Sequence, residues 1–255
     1  MDQILAEQLG SVQILKINRP EALNALSKSL VRELDECLDR IKQSREIRAL
    51  ILCGETNFAA GADIKDMVEC TETEAKAFSF SPVFNRLATL DIPTIAAIEG
   101  YALGGGLELA LACDLRIAAE TCKLGFPEIN LGIMPGAGGT IRAPRLIGPA
   151  LAKELIMTGS MLDAQRALSI GLVNRVVPKG QVCEEAIKLA CKIAGKAPLA
   201  MAAAKRTIDA GLEEPDIVSA VEIEAKNWAQ LFNTCDQKEG MRAFIEKRTP
   251  NYTGK

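Results

Sequence analysis

Three short and largely apolar runs, Ala49-Leu-Ile-Leu-Cys53, Thr94-Ile-Ala-Ala-Ile98 and Leu115-Arg-Ile-Ala-Ala119, restrict the folds open to this chain. A strand that is apolar on both faces must be covered on both, which is the pattern of a parallel sheet packed between helices. Helical patterns separate most of these runs. Leu30, Leu34, Leu38 and Ile41 recur at helical spacing with charges between them, and Ser27 stands where an N-cap would. Val12, Ile14 and Ile17 frame a strand ahead of that helix, closed by Asn18-Arg-Pro20, and Leu172–Val177 reads as a further strand. The alternation predicts an α/β protein with mainly parallel strands. From about Pro198 the strands stop, and Ala/Glu/Lys-rich helices are expected over Leu199–Ala210, Asp216–Phe232 and Lys238–Lys247. The chain is therefore expected to divide into a core, 1–197, and a helical C-terminal region, 198–255. No repeat of fixed period and no low-complexity tract is visible.

At 255 residues, 48% hydrophobic and 25% charged, the composition is that of a soluble globular protein with room for a full core. A formal charge of −3 supplies no basic field for nucleic acid or an anionic membrane, and 4% aromatic residues leave few stacking platforms. A small anionic ligand is compatible with local lysines. The eight cysteines contain no Cys-x-x-Cys pair, and no histidine is present to complete a zinc site. Several lie in apolar patterns, as in Leu50-Ile-Leu-Cys53, so buried reduced thiols are expected rather than a disulfide scaffold. Ile92–Cys113 is apolar for much of its length but carries Glu99 and Glu108, which reads as a buried strand and helix, not a membrane span. The N-terminus lacks the pattern of a signal or transit segment, so a cytoplasmic location is expected, with a mature organellar form as the alternative.

Without histidine, acid/base chemistry must run on carboxylates. Glu108 and Glu128 stand twenty residues apart, each near a glycine-rich turn. Glu108 follows three glycines at the head of an apolar helical run, Gly104-Gly-Gly-Leu-Glu108, where free helix amides and the absence of side chains suit a docked carbonyl or oxyanion. The same position also suits a carboxylate that merely complements the helix dipole. Glu128 lies in Leu124-Gly-Phe-Pro-Glu128, ahead of Pro135-Gly-Ala-Gly-Gly-Thr140, and could stand exposed in a loop. Gly136, Gly138 and Gly139 could only shape a helix entry, with Thr140 as its cap. A third segment, Phe58-Ala-Ala-Gly-Ala-Asp-Ile-Lys65, follows a strand with small residues and a second amide donor. The glycines match neither G-x-G-x-x-G nor a P-loop.

Together these segments resemble the crotonase (enoyl-CoA hydratase/isomerase) superfamily over essentially the whole chain. The three motifs keep the family's order, and Met241-Arg-Ala-Phe-Ile-Glu-Lys-Arg248 is similar to its C-terminal helix. The resemblance implies a crotonase-like spiral of β-β-α repeats and a homotrimer or homohexamer packed through the C-terminal helices. It places oxyanion-hole amides at Ala62 and Gly105 and catalytic carboxylates at Glu108 and Glu128. The implied substrate is an acyl-CoA thioester contacted by Ala60, Ala62, Asp63, Ile64, Lys65, Gly105, Gly136 and Lys247. Coenzyme A is then part of the substrate, and neither metal nor redox cofactor is needed. Lys65 by itself reads as a surface lysine; the resemblance gives it a supporting role, and sets Lys247 near the nucleotide phosphate across a subunit boundary. Family members with both carboxylates are typically hydratases, so reversible addition of water to a 2-enoyl-CoA is expected. The alternatives are a 3-enoyl-CoA to 2-enoyl-CoA isomerase using Glu128 alone, and a silent binding or assembly protein of the same fold. Phe126 stands where some hydratases of the family carry a polar residue. The helical stretch Glu69–Leu87 is expected to wall the acyl pocket.

Overall fold

The structure, a computed structural model, describes residues 2–77 and 79–255. Residue 78, inside the expected pocket wall, lies outside the described residues. The strands are β1 (Ile4–Leu9), β2 (Val12–Ile17), β3 (Ala49–Gly54), β4 (Thr94–Ile98), β5 (Tyr101–Leu103), β6 (Leu115–Ala119), β7 (Lys123–Gly125), β8 (Met161–Asp163) and β9 (Arg175–Val177). The α-helices are α1 (Lys28–Gln43), α2 (Glu72–Ala77), α3 (Ser81–Ala88), α4 (Gly105–Leu111), α5 (Gly139–Ile147), α6 (Pro149–Thr158), α7 (Ala164–Ser169), α8 (Val182–Ala194), α9 (Pro198–Glu213), α10 (Ile217–Leu231) and α11 (Cys235–Ile245).

Six strands form one sheet in the order β1-β2-β3-β4-β6-β9. Only β1 runs antiparallel to its neighbour; the other pairs are parallel. All of β3 and β4 is buried, as their continuous apolar runs require. One face is covered by α8, which packs on β3, β4 and β6 through the buried Val182, Ala186, Ala190 and Ala194. Ser27 caps α1 by accepting from the Leu30 amide, and the helix buries Leu30, Leu34, Leu38 and Ile41 along one stripe.

The second layer positions the site. After β4 the chain turns at Gly100 into β5, and after β6 it passes into β7; β5 and β7 pair in parallel, with β8 antiparallel beyond them. Single parallel bridges, Leu26 to Ala62 and Ala59 to Ala102, continue this layer through earlier turns of the chain. Each long strand thus hands over to a short one, and a helical segment follows. This is the expected spiral of β-β-α repeats.

Several elements differ from expectation in extent. The strand expected over Leu172–Val177 shrinks to β9, because the amides of Leu172 and Val173 turn back to the Ala167 carbonyl of α7. The stretch Glu69–Leu87 is two helices, α2 and α3, and β1 adds an edge strand that the alternation did not announce. The last helix starts earlier than Lys238, since Thr234 caps it at the Gln237 amide. All eight cysteines are free, but Cys191 and Cys235 are exposed, not buried. Everything after Pro198 that is regular is helical, and α10 buries no residue. Leu212, Ile217, Trp228, Phe244 and Ile245 stand exposed on these helices.

Candidate active site

The glycine triplet lets β5 turn directly into α4. Gly104 adopts φ 48 and ψ −124, and a Cβ there would meet the Glu128 carboxylate at 2.9 Å. A Cβ on Gly106 would lie 2.1 Å from the Ala59 carbonyl oxygen, so only glycine lets α4 start against the 59–62 segment. That approach brings two backbone donors together: the Ala62 nitrogen is 3.5 Å from the position of a Cβ on Gly105. The Leu26 amide donates to Gly61, and the Asp63 amide donates to Leu26, which leaves the Ala62 N–H pointing to the other side of that bridge. Gly105 is the first residue of α4, whose amide has no intrahelical acceptor. Among the described residues neither N–H has a backbone partner.

One turn along α4, Glu108 is 3% exposed, so it is no solvated helix-end carboxylate. Its Oε1 accepts from the amides of Ala137 and Gly139, both at 2.7 Å. Burial raises its pKa, while the two amides and the charge of Arg142 pull it back. The far end of α4 is held by Arg116, 4% exposed, which donates to the carbonyls of Cys113 at 2.6 Å and Leu172 at 2.9 Å. Glu128 sits in the short 3-10 segment Pro127–Leu131 and is 9% exposed, so it is not a loop residue facing water. Its Oε2 is buried without a hydrogen-bond partner among the described residues. Burial, and to a lesser degree the nearby Glu108 charge, push its carboxyl up to about 7.

The structure therefore gathers Glu108, Glu128, Gly105, Ala62 and the loop from Gly136 to Gly139. Those glycines do shape the entry to α5, with Gly138 at the cap, and they also carry amides to Glu108; Thr140 lies inside the helix and caps nothing. Asp63 is held by Arg19 at 3.0 Å, and Arg19 also binds the Ala25 carbonyl, which fixes the loop around Ala62. The Ala60 amide donates to Leu23, whereas Ile64 and Lys65 are exposed. Lys247 is exposed beyond α11 with φ 57. Neither lysine is joined to the carboxylates by a hydrogen bond or ion pair among the described residues. A polar cavity of about 650 Å³ shares Asp63 with this segment and is also lined by Arg19, Lys28 and Arg32. Sequence reasoning missed the amide pair on Glu108, Arg142 and the Arg19–Asp63 clamp, none of which has a local signature.

The family model described as Enoyl-CoA hydratase/isomerase covers residues 7–255. The chain belongs to that family, the crotonase superfamily. It is 43% identical over 252 residues to the short-chain-enoyl-CoA hydratase of Clostridium acetobutylicum, covering 97% of this chain and 96% of that one. It is 42% identical to the crotonyl-CoA hydratase of Syntrophomonas wolfei, covering 100% and 99%. The crystal structure of enoyl-CoA hydratase from Bacillus anthracis superposes with a TM-score of 0.95 at 42% identity, over 99% of this chain and 100% of that one. The spiral fold is thus the crotonase fold. Among the described residues no helix is long and apolar enough to cross a membrane, and no group of three or more His, Cys, Asp or Glu side chains could hold a metal ion.

Proposed function

We propose that the protein is an enoyl-CoA hydratase, a hydro-lyase that adds water across the double bond of a 2-enoyl-CoA to give the 3-hydroxyacyl-CoA and also runs the reverse dehydration. The observation that carries this reading is the pairing of two buried carboxylates, one held by two amides and one with a buried oxygen that has no hydrogen-bond partner among the described residues, beside two unpartnered amides. Water attack at Cβ drives charge onto the thioester oxygen. The amides of Ala62 and Gly105 are the donors for that oxygen, and one such donor is worth about 3–4 kcal/mol in the transition state. Glu108, held as an acceptor by two amides, takes the proton from water. Glu128, whose carboxyl keeps its proton to about pH 7, delivers one to Cα. Both act on one water, so their titrations belong to the pair.

In this reading Ala60–Lys65, Gly136 and Lys247 contact the acyl-CoA, with coenzyme A as part of the substrate and no further cofactor. The exposed apolar residues of α9–α11 support a homotrimer or homohexamer built on the 198–255 region. The decisive test is loss of enoyl-thioester absorbance over a panel of 2-enoyl-CoA substrates, with calorimetry of CoA binding at two salt concentrations. Hydration of at least one substrate and salt-weakened binding are expected. Isomerisation of a 3-enoyl-CoA without hydration would move the assignment to an isomerase, and absence of both activities and of binding would leave a silent member of the fold.

A further inference from the structure

Glu108 is held by backbone, and that backbone is held in turn by one cation. Arg142, on the first turn of α5, donates through Nη1 to the Ala137 carbonyl at 3.1 Å and through Nη2 to Oδ1 of Asn85 at 2.7 Å. Ala137 is one of the two residues whose amides grip Glu108. Asn85 belongs to α3, and Ser81, one turn earlier on the same face, donates to the Gly136 carbonyl at 3.1 Å. The guanidinium lies directly against Gly138, where a Cβ would meet Nη1 at 2.0 Å. The loop 136–139 is therefore gripped on its carbonyl side by α3 and Arg142 while its amide side faces the carboxylate. The charged groups facing Glu108 are Arg142 from α5 and Glu128 from the 3-10 segment, and Glu108 acts on Arg142 more strongly than any other charge does.

We propose that Arg142 is a positioning residue for Glu108: it fixes the amides at 137 and 139 by holding the carbonyl between them, and Asn85 orients it, so that α3 and the base move as one unit. The inference rests on the reading of Glu108 as the hydratase base. It differs from a purely structural role in one respect, because a cation that both orients the base and favours its ionised form must alter the pH at which the base works, whereas a packing residue need not.

The test measures kcat and KM for crotonyl-CoA hydration from acid to alkaline pH in the parent, R142A, R142K and N85A, and repeats R142A in an E108Q background. R142A is expected to lower kcat roughly 10–100-fold with KM little changed, and to move the acid limb of the profile to higher pH. R142K, which keeps the charge but not the two-pronged grip, should fall between R142A and the parent, and N85A should shift kcat in the same direction by a smaller factor. In the E108Q background the R142A change should cost nothing further. Parent kcat and an unmoved acid limb in folded R142A, or an equal loss with and without Glu108, overturn the inference. Should R142A fail to fold, parent-like profiles in both R142K and N85A overturn it. A parent protein that hydrates no enoyl-CoA overturns the function and this inference together; an active parent with indifferent variants overturns this inference alone.

Discussion

Glu108 and Glu128 carry the same carboxylate into opposite surroundings. At Glu108 two amides converge at 2.7 Å on one oxygen, and Arg142 adds positive charge behind them. At Glu128 one oxygen is buried with no hydrogen-bond partner among the described residues, and the charge of Glu108 acts on it unfavourably. Burial raises both pKa values, but only Glu108 has groups from elsewhere in the chain that favour its ionised form. The difference shows that the backbone, not the residue type, sets the surroundings on which the proposed division into base and acid rests.

The largest expected effect breaks the comparison outright. Glu108→Ala should lower hydration by roughly 10²–10⁴, the worth of a positioned general base, while a proton shuttled by Glu128 between carbons survives better. Glu128→Ala should impair both, and the double variant should lose less than the product of the single losses, because two groups holding one water act as a unit. Unchanged hydration of crotonyl-CoA in Glu108→Ala would remove Glu108 from the chemistry and leave the isomerase reading ahead.

Next in size is the amide at residue 105, the proposed donor to the substrate's thioester oxygen. Gly105→Pro removes that donor and should cost about 10²–10³ in kcat. Circular dichroism and oligomer size must first match the parent, since the same change disturbs the head of α4. A folded variant at full rate refutes the oxyanion-hole assignment.

A pH profile sharpens the comparison without mutation. If Glu128 is the acid, kcat should fall on the alkaline side with a midpoint near its pKa of about 7, approaching tenfold per pH unit beyond it. Glu128→Gln should abolish that limb while lowering the plateau. A limb that survives the substitution belongs to another group.

The smallest effect is on stability. The folded-state pKa of Glu128, about 7, lies above its ordinary value of 4.5. Below pH 4.5 both folded and unfolded chains are protonated and nothing is lost. As pH rises through the window from 4.5 to 7, the unfolded chain releases its proton first, so the parent loses stability. Glu128→Gln cannot ionise, and its stability relative to the parent should improve by about 2 kcal/mol between pH 5 and pH 8 in urea titrations. A pH-independent difference would place the carboxyl in a wetter setting than its burial indicates.

Much of this arrangement was legible in the chain. The continuous apolar runs at residues 49–53, 94–98 and 115–119 became β3, β4 and β6 because a strand buried on both faces tolerates little else. Ser27 announced the start of α1 because an N-cap acts on an amide three residues away. Glu108 and Glu128 stood out through their glycine-rich neighbours. The same local logic failed at Leu172–Val177, where β-branched and apolar residues pointed to a strand but the end of α7 claimed the first amides. At Lys65 the bland reading of a surface lysine matches its exposure, and Lys247 is exposed as well.

Periodicity, capping and the glycine triplet are interactions over a few residues, so the sequence by itself determined the strand core and the helix starts, and it singled out the two candidate carboxylates. The rest depends on groups far apart in the chain: the amides on Glu108 come from 29 and 31 residues away, and Asn85 reaches Arg142 across 57. Only the stacking of successive spiral turns brings such groups within hydrogen-bond reach and excludes water from between them. Protonation preference is a property of that enclosure, and so the surroundings on which the proposed roles of base and acid rest were decided by the tertiary structure.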